Sequence, residues 1–305
     1  MHIRATVAAV SGALALSAFA LPAAHAADAP SYKTEAAKTL AALPHSLKGM
    51  GGTPTGKTAF SSDAAAADLG VTFSDLKIAK AVKVGTTNHV ATTVTYTLTH
   101  GANYDINSSD FDSGPLIYKG SSINSAQNVL GGELPATCTA TSDTTATCTG
   151  NIDIFPLNED DTAGDLLNSD AGTWSAGAIA LQYSTGDFSV QGDLGTTLVQ
   201  RNSKLTVNAT PEPVKKGKTI TVVGKLSRAN WEDNKYHGYS TQPVKLQFRK
   251  KGSSTYTTLK TIKTSTTGDL KTTTTATVDG YYRYSFAGTT TTPAVNATGD
   301  FVDVQ

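Results

Sequence analysis

Between His89 and His100, Val90, Thr92, Val94, Tyr96 and Leu98 alternate with Thr93, Thr95, Thr97 and Thr99. A period of two places one set on each face of a strand, so this segment reads as a half-buried β-strand. The rhythm returns in LTVNA (205–209), TITVVGKLS (219–227), VKLQFR (244–249) and YRYSF (282–286), with Gly, Pro, Asn and Asp turn signals between the runs and no helical pattern. AIALQY (178–183) and FSVQG (188–192) add further strands. In LKIAKAVKV (76–84), Leu76, Ile78, Val82 and Val84 oppose Lys77 and Lys83, which predicts one strand with a bulge at Lys80. Such a series specifies an all-β protein.

A length of 305 residues exceeds what one core usually serves, so two β-sandwich domains in tandem are expected, over 71–201 and 202–305. Charged residues are only 16% of the chain; Thr, which favours strands, and Gly, which favours turns, fill their place. Residues 1–26 have the form of a signal peptide: His2 and Arg4, an apolar run to Leu21, then the small-residue site AHA ending at Ala26. No later run approaches the ~20 apolar residues of a membrane span, so the mature protein is expected to be secreted and extracellular. No cysteine near the cleavage site suggests a lipid anchor, and the ending FVDVQ suggests no covalent attachment to a wall. Residues 27–70 read as a low-complexity, flexible leader with a helical candidate at 32–43 and a second at 61–70, neither with a wide apolar face.

Within that leader GGTPTGKT (51–58) fits the phosphate-loop pattern. The motif needs a buried strand before it and a helix after it, and AALPHSLKGM provides no such strand, so a linker is expected. Cys138 and Cys148 are the only cysteines, an even pair in an exported chain, and they flank a turn at Ser142 and Asp143. A hairpin disulfide follows, worth about 2 to 3 kcal/mol for so short a loop. NATPEPVKKGK (208–218) reads as a linker in which Pro211 and Pro213 interrupt a strand or hold it at an edge.

The segment LPATCTATSDTTATCTGNIDIFPL resembles the cysteine-bearing edge of the immunoglobulin-type repeats of bacterial exported proteins. More specifically, VKKGKTITVVGKLSRANW, GYSTQPVKLQFRKKGSSTYTTLKTIKT and DGYYRYSFAGTTTTPAVNATGDFVDV resemble the C-terminal immunoglobulin-like module of actinobacterial secreted proteins. The resemblance implies two immunoglobulin-like β-sandwiches without known catalysis, which informs fold more than activity. Gly280 and Tyr282 fit a corner in which a tyrosine hydroxyl ties two sheets.

Charge separates the halves. Residues 71–200 hold 4 Lys and Arg against 14 Asp and Glu, a balance of −10, and residues 202–305 hold 15 against 7, a balance of +8. The basic half, with Lys215, Lys216, Lys218, Arg249, Lys250 and Lys251 near loops, suits an anionic cell-wall polymer or a protein partner, while export and the lack of a reading motif argue against nucleic acid. Carboxylates cluster at Asp105, Asp110 and Asp112 and again at Glu159, Asp160, Asp161 and Asp165. Neither loop matches the twelve-residue calcium loop, so no cofactor is expected, with calcium at these residues the alternative kept open. The loop RANWEDNKYHGYST carries Trp231, Tyr236, His237 and Tyr239, either as a binding platform or as a plug for the open end of a small sandwich, whose need for buried area favours the plug.

His45, His89, His100 and His237 lie in no GxSxG or HExxH context, and both acidic loops read as exposed, so catalysis is not expected. The expectation is a non-catalytic binding or adhesion protein, with a spacer or scaffold subunit and a secreted hydrolase as the alternatives.

Overall fold

The computed structural model describes residues 31–43, 67–157 and 164–305, and residues 31–305 group as one compact unit. The expected signal peptide, the GGTPTGKT segment, His45 and the acidic residues Glu159, Asp160 and Asp161 lie outside the described residues, as does most of the second helical candidate.

Among the described residues, one α-helix, α1 (Tyr32–Ala42), precedes the strands. The first sandwich comprises β1 (Thr72–Lys77), β2 (Ala81–Val84), β3 (Val90–Thr99), β4 (Phe111–Lys119), β5 (Asn128–Gly131), β6 (Thr137–Ser142), β7 (Thr145–Ile154), β8 (Gly172–Gln182), β9 (Phe188–Gln191) and β10 (Thr196–Arg201). One sheet runs β1-β3-β7-β6; the other runs β2-β10-β8-β4-β5, with β9 also on β8. Val94, Tyr96 and Leu98 of β3 and Ala146, Cys148, Ile152 and Ile154 of β7 share a core with Trp174, Ala176, Ala178 and Ala180 of β8. Thr93, Thr95, Thr97 and Thr99 of β3 lie on its outer face, while Thr92 shares the buried face with Val94, Tyr96 and Leu98.

The second sandwich comprises β11 (Ser203–Leu205), β12 (Asn208–Thr210), β13 (Thr219–Asn230), β14 (Lys235–Gly238), β15 (Pro243–Lys250), β16 (Thr257–Lys263), β17 (Asp269–Thr275), β18 (Gly280–Phe286), β19 (Val295–Asn296) and β20 (Asp300–Val302). The long β13 pairs with β12 and β17 in its first half and with β11 and β14 in its second. Facing it is the sheet β16-β15-β18, with β19 and β20 on the far side of β18. The all-β, immunoglobulin-like class expected from the sequence is therefore the one observed.

Cys138 and Cys148 stand directly opposite each other on β6 and β7 and are joined by a disulfide, with Cα atoms 4.0 Å apart.

Four local expectations need correction. The segment 76–84 is two strands in two sheets: β1 pairs with β3, the chain crosses over at Ile78, Ala79 and Lys80, and β2 pairs in parallel with β10. Asp75, with a left-handed φ of 52°, marks a bulge between Ser74 and Lys77; Lys77 still pairs with Thr95 before the chain leaves the first sheet. The helix at 32–42 is packed rather than loose, since Tyr32, Ala36 and Leu40 are buried on Leu116, Tyr118, Ile179 and Leu181, the outer face of the second sheet. Residues 208–218 lie inside the second sandwich, with β12 on β13, and do not link the two sandwiches. At the tyrosine corner it is Tyr284, not Tyr282, whose hydroxyl crosses between the sheets, donating to the Val222 carbonyl at 2.8 Å.

Candidate binding surface

Only Asn202 separates β10 of one sandwich from β11 of the other. The hairpin of β13 and β14 extends across this junction, and its tip inserts into the first sandwich. Trp231 is 2% exposed and belongs to the core around Trp174 and Val84. Its indole N–H donates to Gly85 O at 2.9 Å, and Asn234 Nδ2 donates to Thr86 O at 2.8 Å and Pro156 O at 2.9 Å. Asn168 Oδ1 accepts from the Trp231 backbone N–H at 3.1 Å, while Arg201 Nε donates to Ala229 O at 2.6 Å. Burial and the neighbouring Arg228 bring the Arg201 pKa down to about 10, so the guanidinium is still charged at neutral pH.

The four residues read as a platform or a plug are thereby dispersed. Trp231 plugs the neighbouring sandwich rather than its own, and Tyr236 lies half-buried against the same core with Lys204 over its ring at 3.8 Å. Tyr239 packs on the second core, edge-on to Phe286, with the Arg228 guanidinium 3.9 Å from its ring centre. His237 is exposed and bonded to Asp233 at 2.6 Å. Of the other histidines, His89 stacks on Phe155 and bonds Asp153, and His100 is buried with Nδ1 2.8 Å from Gly101 O.

The acidic residues mostly serve as acceptors for the chain itself. Asp110 takes the Ser184 N–H at 2.7 Å, the Ser184 hydroxyl and the Gln182 amide, which together hold its carboxyl below the usual range. Asp112 accepts from the Tyr183 hydroxyl at 2.5 Å, and Asp105 accepts from the Asn107 N–H at 3.0 Å. Asp165 accepts from the Phe155 N–H at 2.7 Å, and burial raises its pKa. Among the described residues, no group of three or more His, Cys, Asp and Glu side chains is placed to share a metal ion. A groove of about 460 Å³ is lined by Asp68, Asn124, Phe188 and Gln191; Asp68 already accepts from Ser189, and Gln191 bonds the Phe73 backbone.

The lysines converge. Lys216 donates its backbone N–H to Gln305 O, Val214 bridges Val304, and the Val304 N–H donates to Asp279, which also holds Lys251 at 3.3 Å. The C-terminal residues thus bring the Lys215, Lys216 and Lys218 turn together with the Lys250 and Lys251 turn, at the end of the second sandwich remote from the Trp231 tip.

Beside them lies a group the sequence reading did not assemble. Register places Arg249 opposite Tyr281 and Tyr281 opposite Phe301, with Gln247 opposite Arg283 in the next row, all on the outer face of the sheet. The Arg249 guanidinium lies 4.1 Å from the Tyr281 ring centre, Arg283 lies 3.7 Å from that of Tyr256, and Lys251 Nζ lies 5.3 Å from that of Phe301. Tyr281 and Phe301 are 5.1 Å apart, centre to centre. Arg283 Nε donates to Gln247 at 2.9 Å and Arg249 donates to Ser253 O at 2.5 Å. Neither arginine has an ion-pair partner among the described residues. The nearby carboxylates Asp279 and Asp300 accept backbone N–H groups, from Val304 and Ala209. The sequence signal was the alternation in YYRY and LQFR, which puts Tyr281, Arg283, Gln247 and Arg249 on one face.

No known family model matches the chain, and no curated protein matches it. Among solved structures it is similar to dimeric latent PorU of Porphyromonas gingivalis (10% identity, TM-score 0.27), covering 77% of this chain and 20% of that one. It is also similar to the Yersinia pseudotuberculosis adhesin InvE (13% identity, TM-score 0.25), covering 74% of this chain and 58% of that one. Fibronectin(III)-like modules of Clostridium thermocellum CbhA match at 13% identity and a TM-score of 0.27, covering 77% of this chain and 92% of that one. The chain thus spans about a fifth of the PorU chain and less than two thirds of InvE. The fold assignment rests on the strand order and packing described above.

Proposed function

We infer that this chain is a secreted, non-catalytic binding protein whose basic sandwich docks on an anionic polymer at the cell surface. The observation that carries this reading is the cation and aromatic array of Arg249, Arg283, Lys251, Tyr256, Tyr281 and Phe301, bordered by the converged lysines. Guanidinium groups stacked on rings lose little further freedom when they meet a ligand, and their planar forks match carboxylate and phosphate geometry. Aromatic rings beside them offer stacking surface to the apolar faces of sugar rings. The lysine turns add longer-range attraction that falls with salt. Opposite charge on the two sandwiches orients the molecule, basic end towards the polymer and acidic half away from it.

The test is co-sedimentation of the purified protein with purified cell walls, with a soluble polyuronate and a neutral glucan as competitors. Binding is expected to weaken with salt, to yield to the polyuronate alone, and to fall at least tenfold in the Arg249→Gln, Arg283→Gln double variant. Unchanged retention in that variant, or in one with Lys215, Lys216, Lys218, Lys250 and Lys251 replaced by alanine, would count against it. A second reading, a structural spacer, draws on the Trp231 joint; under it all surface variants are silent and only joint variants matter.

A further inference from the structure

The joint between the sandwiches carries two guanidinium groups that docking on a polymer does not use. Arg201 closes β10, and Arg228 lies in β13 opposite Ser203 of β11 on one side and His237 of β14 on the other. The Ala229 N–H donates to Asn202 O at 2.8 Å, and a regular antiparallel ladder would return the Asn202 N–H to Ala229 O. Asn202 instead gives that N–H to Val84 O at 2.8 Å, and Arg201 Nε donates to the Ala229 carbonyl at 2.6 Å. One donor completes that repair. The two terminal amino groups of Arg201 have no protein acceptor among the described residues, although the residue is only 8% exposed. Arg228 has its guanidinium carbon 3.9 Å from the Tyr239 ring centre and its Nη1 3.3 Å from Oγ1 of the fully buried Thr292. The connection between β18 and β19 is laced to the same place, since the Arg201 N–H donates to Thr291 O at 3.0 Å and Ser203 Oγ to Pro293 O at 2.9 Å.

Neither arginine has a carboxylate within ion-pair distance among the described residues. The acids whose field reaches Arg201 are engaged elsewhere: Glu232 faces the Asn168 N–H at 3.4 Å, and Asp233 holds His237 at 2.6 Å. We propose that Arg201 and Arg228 form a phosphate-binding site at the joint, the free fork of Arg201 and the ring-stacked fork of Arg228 closing on one oxyanion. Like charges brought together out of water oppose folding unless an anion offsets them. Burial and the neighbouring Arg228 lower the Arg201 pKa, and burial lowers that of Arg228, which is the signature of such uncompensated charge. Guanidinium forks match the oxygens of phosphate, whose charge of about −1.5 to −2 at pH 7 balances two cations better than a carboxylate does. Junctions between domains are also where small ligands preferentially bind. An occupied site would tie the end of β10, the middle of β13 and the 289–293 connection together, stiffening the joint that Trp231 already plugs.

The experiment is thermal unfolding of the full purified chain in inorganic phosphate, against sodium chloride at matched ionic strength. At ~10 times the dissociation constant the folded-to-unfolded ratio should rise about tenfold, an increase in melting temperature of about 3 °C. Hydrogen exchange at 289–292 should slow on the same addition. Arg201→Lys and Arg228→Lys keep the charge but remove the forks, and each should weaken phosphate binding at least tenfold by calorimetry. The Arg249→Gln, Arg283→Gln double variant lacks the outer array and should keep the full increase, which separates this site from polymer docking. If the lysine variants fail to fold, the wild-type exchange map and the double variant still decide. An increase that chloride reproduces, one lost in the double variant, one undiminished in both lysine variants, or a wild type that phosphate leaves unchanged overturns the proposal.

Discussion

Replacing Trp231 by alanine should destabilise the sandwich to which Trp231 does not belong in sequence. An indole buries about 150 to 250 Å², which at about 25 cal/mol per Å² amounts to about 4 to 6 kcal/mol. Trp231 is only 2% exposed, so nearly all of this is realised. Buried Trp to Ala changes cost about 3 to 5 kcal/mol, and the lost bond to Gly85 O leaves a carbonyl open for about 1 kcal/mol more. A loss of about 4 to 6 kcal/mol is the expectation. Because the chain has two tryptophans, the variant retains Trp174 alone, which is fully buried in the first core and reports that core without interference. Urea unfolding followed by Trp174 fluorescence should show a lower midpoint, with Trp231→Phe between the variant and the wild type. Hydrogen exchange of β18 amides should report a smaller loss in the second sandwich. A Trp174 transition that does not move, or a loss confined to β18, would refute the assignment of Trp231 to the neighbouring core.

Two further outcomes follow from buried polar groups. Tyr284→Phe removes the hydroxyl that bonds Val222 O and should cost about 1 to 2 kcal/mol by urea unfolding, whereas Tyr282→Phe should cost less because that hydroxyl has no such partner among the described residues. Asp165→Asn should raise the melting temperature at pH 7: burial raises the folded-state carboxyl pKa above its unfolded value near ~3.9, so the charged form costs stability once pH exceeds that value, and the gain should vanish as pH falls below it.

What could be read in advance followed from period-two patterning with one buried face. The strand from Val90 to Thr99 was legible because a slip of one residue would bury its threonines, and the Cys138 to Cys148 hairpin because two cysteines flank a turn. The crossover after Lys77 was hidden because a strand that changes sheets keeps the same alternation on either side of the break. Helix α1 buries only the narrow stripe of Tyr32, Ala36 and Leu40, too slight to register as an apolar face. In YYRYSF every position but Arg283 and Ser285 is aromatic, so the sequence could not say which tyrosine ties the sheets and which lies under a guanidinium. Phe301 comes to that array from a distant edge strand and Tyr256 from the connection between β15 and β16, neither within the alternating runs.

The seat of Trp231 bears on how this molecule would carry load. Under the proposed docking, a polymer tugging on the basic end would pull on β13, whose hairpin tip is lodged in the next sandwich and clasped by Asn168, Gly85, Thr86 and Pro156. Tension would therefore reach the acidic half through a wedge as well as through the peptide bonds around Asn202. Such a coupling resists the swivelling of beads on a string, and a copy held at its basic end should keep its far end at a steady distance from the point of attachment.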